Sequence, residues 1–177
     1  MSATHASGGV AASTDRNPNQ DSSVRKRSPG SARAVDQISQ LPCGDQDRLA
    51  ASRAATNRAT DFIRERRQFG KALKDFQAIQ HSVVEMTTLT KGMELFFENA
   101  VQMQESGDDA TQAISMTKYF CSEQLQRVVE IAVRVVGGRA YFEFEPVSRY
   151  YREAPFCLFA GGTVEIQKML IARTLSI

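Results

Sequence analysis

Residues 76–104 read FQAIQHSVVEMTTLTKGMELFFENAVQMQ. Phe76, Ile79, Val83, Met86, Met93, Phe97 and Ala100 fall on a repeat of three- and four-residue steps. That period places them on one face of a helix. The neighbouring sequence repeats the signal. After Gly107, with Asp108 or Asp109 as the cap, Ala113, Met116, Phe120, Val128, Ile131 and Val135 keep the same period until Gly137-Gly138 stops it. On the other side, a segment from about Asp47 to Arg67 has a thin apolar stripe of Ala50, Ala54, Ala55, Phe62 and Ile63. It ends in RERR, cations suited to a helix C-terminus, and Gly70 marks the break. Arg139–Glu145 alternates weakly, but a lone strand has no ladder partner, so a loop is expected. Pro146 opens a short helix to about Arg152. A last helix is expected from Thr163 to about Leu175, with Ile166, Leu170 and Ile171 facing inward. The expected fold is all-α: an up-down four-helix bundle with short extra helices.

Residues 1–45 differ from this in kind. They are rich in Ser, Ala, Gly, Asn and Asp, carry Pro18, Pro29 and Pro42, and almost lack large apolar side chains. Such a segment cannot offset its ordering entropy, so it is read as a disordered polar tail preceding a 46–177 bundle. Arg25-Lys26-Arg27 lies in it and is read as solvated. A weak likeness to an organelle transit peptide is outweighed by plain disorder.

The 177 residues carry a net charge of only +2, with 42% hydrophobic and 24% charged side chains. These totals make no electrostatic case for nucleic acid. No apolar run approaches the roughly 20 residues of a membrane span. Cys43, Cys121 and Cys157 are sparse and lack CxxC spacing, which suggests free thiols in a reducing compartment. The expected location is the cytoplasm, or the mitochondrial matrix in a eukaryote.

Most catalytic chemistry fails on residue type. His5 and His81 are the only histidines, and neither has a Glu three residues before it, so a Glu-x-x-His di-iron site is excluded. Close Cys/His ligands for zinc are missing, and so are GxGxxG and GxxxxGK[ST]. His81 reads as a boundary residue on its helix, not a partner of Cys157. Glu94, Glu98, Glu123 and Glu130 read as solvated helix faces. What remains is positional: Arg66, Phe69 and Gly70 at one helix end, Gln77 opening the next, Gly137-Gly138 closing the third and Gly162-Thr163 opening the last. Glycines at such turns permit close approach to the backbone, and a helix start offers free N–H groups to an anion. Ordinary capping explains each of them singly.

Together they form a pattern. RERRQFGKALKDFQAIQHSVVEM, RVVGG, FEPVSRYYREA and GGTVEIQKMLIARTL occur in this order. From about Ala51 to Ile177 the chain resembles the C-terminal helical domain of the acyl-CoA dehydrogenase family. The resemblance implies FAD-linked α,β-dehydrogenation of an acyl-CoA thioester, in which a glutamate takes the α-proton and FAD the β-hydride. By position it implies that Arg66 and Phe69 meet the FAD diphosphate or adenine side from a neighbouring subunit, with Gln77 in the same pattern. Arg134, Gly137 and Gly138 would line the adenosine end. Thr163 and Glu165 would hold FAD near the last helix start, and Gly162 would lie against substrate. The implied partners are acyl-CoA and a homo- or hetero-oligomer with a family member.

The departures are as informative. Many members carry the base as Glu-Gly-Thr, where this chain has Gly161. A second branch carries it on the first helix of this domain in a Glu-Arg-Leu context, which Asp47-Arg48-Leu49 resembles. In that branch the motif lies about seven residues further from the FGK turn. Two turns of helix move a side chain about 10 Å, against a proton-transfer reach of about 3 Å. Asp47 is therefore a weak candidate for the base. Arg134 stands where the family usually has Gln, GGRA where it has GGxG, and Pro155 where it often has Arg. The family's N-terminal and middle β-domains have no counterpart in these residues, so weak FAD affinity is expected of the chain alone. A partner chain would complete the site. The alternative is an inactive remnant, or a structural oligomerisation bundle of the same family.

Overall fold

The computed structural model describes residues 44–177. Five α-helices are found there: α1 Asp45–Glu65, α2 Gln77–Glu105, α3 Thr111–Val136, α4 Pro146–Glu153 and α5 Val164–Thr174. Three 3-10 segments, Leu73–Asp75, Gly137–Tyr141 and Ala154–Leu158, join or follow them. The expected tail lies outside the described residues except at its end. There Gly44 and Asp45 begin α1 instead of belonging to the tail. The Asp47 carboxylate accepts the Gly44 N–H at 2.9 Å, and two first-turn acids favour the helix dipole.

α3 is the central element and packs on α1, α2, α4 and α5. Thr117 donates to the Phe96 carbonyl and Arg127 meets Glu85, so α2 and α3 run antiparallel. Gln112 donates to Thr174 and Lys168 to Glu123, so α5 returns antiparallel along α3. The four helices alternate up and down, with α4 as the short extra one. On α1, Ser52, Ala55 and Ala59 are fully buried. Ala55 and Ala59 belong to the shared core, and Ser52 meets α2, its hydroxyl 2.7 Å from that of Thr90. Met86 and Met93 of α2 fill the core against Val128 and Val129 of α3. Each such side chain contributes about 1.5–3 kcal/mol by leaving water.

The break at Gly70 is confirmed and given a form, and three local expectations are corrected. The break at Gly70 is a two-residue hairpin, β1 Arg67–Gln68 with β2 Lys71–Ala72, closed by Phe69 at φ 51° and Gly70 at φ 81°. Positive φ at both central residues is the turn geometry that matches strand twist. α3 has Ala110 at its cap position. Asp109 still serves it, because its carboxylate accepts the Thr111 N–H at 3.1 Å. Ile166 is 44% exposed, whereas Val164 and Gln167 are buried. With Thr163 as the cap, positions three apart face α3 and Ile166 is rotated away. Glu94 is not simply solvated: it is 18% exposed and held by Arg53 and Lys91, each at 2.8 Å. Arg139–Glu145 forms no strand.

Candidate functional site

The residues singled out from the sequence fall at two ends of α3. At its C-terminal end, a cavity of about 640 Å³ opens between α1 and the Gly137–Tyr141 segment. Arg58, Phe62, Arg66, Gly138, Arg139 and Phe144 line it. Behind it lies Glu145, whose side chain is wholly buried. Arg58 donates from Nε and Nη2 to its two oxygens, both at 2.7 Å, and Arg139 Nε donates to Oε2 at 2.8 Å. Burial alone would raise this carboxyl's pKa. The hydrogen bonds from Arg58 and Arg139 outweigh that and hold it below the usual range. The arginines also lie against rings, Arg58 over Phe62 at 5.8 Å and Arg139 over Phe144 at 5.2 Å.

Arg66 differs from the other cations here. It is the exposed C-cap of α1, and no carboxylate lies within ion-pair distance of it among the described residues. Gly138 also lines the cavity, and nothing lies within 4 Å of where its Cβ would be. Gly137, at φ 67°, carries the chain out of α3 in a conformation that favours glycine. Arg134 is exposed on the last turn of α3 and paired with Glu130. Phe69 is 92% exposed at the hairpin tip, edge-on to Phe76 at 6.4 Å, and Gln77 is exposed at the start of α2.

The second place is the start of α5. Gly161 and Gly162 have φ 72° and 95°, and the Thr163 hydroxyl accepts the Ile166 N–H at 3.3 Å. The exposed Glu165 carboxyl is held below its usual range by its own backbone N–H, the Thr163 hydroxyl and Lys168. A side chain at 162 would crowd Gln167, whose Nε2 lies 3.1 Å from the Cβ position. Beneath this turn Lys118 and Arg48 are each 1% exposed. From Lys118 to Gly137 is about 28 Å along α3 at 1.5 Å per residue. One chain therefore brings Arg66 together with Gly138, and Gly162 together with Thr163 and Glu165, but holds the two sets apart.

Asp47 is exposed and engaged in the α1 cap; a smaller cavity of about 170 Å³ lies beside it and Arg48. Cys121 has its thiol pushed up to about 12 by burial and the neighbouring Asp45, so it supplies no thiolate. His81 is exposed on α2 and Cys157 buried after α4. Among the described residues, no group of three His, Cys, Asp or Glu side chains could hold a metal ion. No helix there is long and apolar enough to cross a membrane. Sequence reading passed over Arg48, Arg58, Lys118, Arg139 and Glu145. Two signals were available: the Asp45–Arg48 i,i+3 pair, and a lysine on the apolar face of α3 between Ile114 and Cys121.

The family model "Acyl-CoA dehydrogenase, C-terminal domain" matches residues 47–176. The chain belongs to the acyl-CoA dehydrogenase family. Among curated relatives, it is 32% identical over 127 residues to the 3-(aryl)acrylate reductase of Clostridium sporogenes (strain ATCC 15579), covering 72% of this chain and 34% of that protein. Among solved structures, butyryl-CoA dehydrogenase from Megasphaera elsdenii aligns at TM-score 0.73 and 26% identity, covering 83% of this chain and 37% of that one. The FAD complex of PigA aligns at 0.75 and 25%, covering 82% and 38%. The chain thus spans about a third of the length of these family members.

Proposed function

We propose that this chain is an FAD-holding domain of acyl-CoA dehydrogenase type that contributes two separate half-sites, each completed by another family chain. Arg66 carries the reading. Arg58 and Arg139 are committed to Glu145 and Arg134 to Glu130, so Arg66 is the cavity cation left for a phosphate. The open space at Gly138 fits a group that approaches the backbone. At the other half-site, the α5 N-terminus offers N–H groups and the Thr163 hydroxyl to a polar ring edge.

Bound FAD would supply the hydride acceptor for oxidation of an acyl-CoA thioester. This chain's residues bind and orient at both ends, but the turn supplies no base. Gly161 has no side chain to take a proton, and the Asp47 carboxylate is occupied by the Gly44 N–H. The α-proton acceptor in this reading is a carboxylate of the partner chain.

A second reading, a bundle that only assembles, is favoured by the exposed apolar side chains Ile166 and Met169 along α5. One experiment separates the two. The chain is purified alone and with full-length family members, and each preparation is scanned for flavin absorbance. Yellow assemblies that bleach with acyl-CoA are expected; colourless protein in every combination sinks the first reading and leaves the second.

A further inference from the structure

Three donors from two helices converge on two carbonyls just before the Gly161–Thr163 turn. Lys118 Nζ donates to the Ala160 carbonyl at 2.6 Å, and Ser122 Oγ to the Cys157 carbonyl at 2.9 Å. Arg48 Nη2 donates to both at 3.4 Å, and its Nη1 pairs with Asp45 at 2.6 Å. These carbonyls lie where the Ala154–Leu158 3-10 segment runs out, so they have no continuing helix to pair them. Asp45, 6% exposed, is the ion-pair partner of Arg48 and also feels the charge of Lys118.

A buried ammonium is an expensive way to satisfy a carbonyl. Apolar residues of similar volume often serve stability as well or better. The bond from this lysine to the Ala160 carbonyl lies at the turn. The next two residues, Gly161 and Gly162, both have positive φ, a conformation that chain preference alone does not fix. Lys118 Nζ lies only 3.8 Å from where a Cβ on Gly162 would be. We infer that Lys118 is a positioning residue for the GGT turn. By holding the Ala160 carbonyl, it fixes Gly161-Gly162 and aims the first N–H groups of α5 at whatever docks there. The docking ligand rests on the reading given under Proposed function; the positioning itself does not.

The test is amide hydrogen exchange on Lys118→Met and Lys118→Gln. The reporters are the hydrogen-bonded amides of Phe159, Ala160, Ile166 and Gln167. In Lys118→Met they should exchange at least ten-fold faster, with Met86 and Met93 in α2 unchanged and Lys118→Gln in between. Unchanged exchange at the four reporters overturns the inference. So does an equal loss in α2, or loss of helical circular dichroism in both variants, since the lysine would then support the whole bundle. In an FAD-containing assembly, Lys118→Met should weaken FAD at least ten-fold, and the core change Val129→Ala less than two-fold. If no wild-type assembly takes up FAD but the reporters respond, the functional reading fails and the positioning role stands. If FAD binds and the reporters do not respond, the reverse holds.

Discussion

Two buried carboxylates, Asp45 and Glu145, each face two cations, yet their titration is shifted in opposite directions. Glu145 receives three charge-assisted hydrogen bonds, two of them bidentate from Arg58. Its arginines are 23% and 51% exposed, so they remain partly hydrated. Attraction wins and the pKa falls. Asp45 has one short bond, to an Arg48 that is itself 1% exposed, and Lys118 directs its short bond to the Ala160 carbonyl. Burial outweighs Arg48 and Lys118, and the pKa rises. The same three charges therefore do different jobs: at the cavity they close an ion pair, and at the turn they hold backbone.

The contrast breaks first at Arg48. Arg48→Met strands a buried carboxylate and should cost about 3–5 kcal/mol in urea unfolding. A cost below 1 kcal/mol would mean that the turn cluster is not coupled to the fold. Glu145→Gln should cost less, about 2 kcal/mol, because water can take over the two released guanidinium groups. If its cost matches that of Arg48→Met, the difference in exposure does not matter.

Glu145 has a folded pKa below its ordinary 4.5, so its contribution is present above pH 4.5 and is lost as pH falls through the folded value. Asp45 has a folded pKa above its ordinary 3.8, so its contribution is fully present below 3.8 and is lost as pH rises through the folded value. Denaturant midpoints measured against pH for Glu145→Gln and Asp45→Asn should deviate from wild type with opposite slopes. Parallel deviations would show that both carboxylates sit in the same kind of site. The smallest effect is at the cap. Thr163→Ala should lower stability by about 1 kcal/mol without altering the pH profile of either cluster. A change in the Asp45 limb would link cap and cluster.

The helices were legible because period and punctuation agreed. Pro146, Gly137 and Thr163 each mark a boundary within a residue of where it lies. Ile166 misled because the cap position sets which residues face α3, and hydropathy alone does not give that rotation. The charged clusters were the illegible part. Glu145 sits in FEFEP with Phe142 and Phe144, and hydropathy would bury the rings and expose the acid. The fold does the reverse, because Arg58, far off in sequence, supplies the pairing that makes burial tolerable. Lys118 fell on an apolar face, where its bond to the Ala160 carbonyl, made across the fold, is not visible in the local sequence. Arg66, Gly138 and the GGT turn were visible as helix ends and glycine turns, but ordinary capping explained each singly, and only the family pattern joined them to a cofactor.

The most direct test is an FAD titration of the chain assembled with a full-length family member, followed by flavin fluorescence. Saturable binding is expected. Arg66→Ala should weaken it at least ten-fold, about 1.4 kcal/mol or more. Arg53→Ala, which removes only a surface partner of Glu94, should leave it within two-fold. Absence of saturable binding, or equal affinity for the wild type and Arg66→Ala, would contradict the assignment of Arg66 to the cofactor.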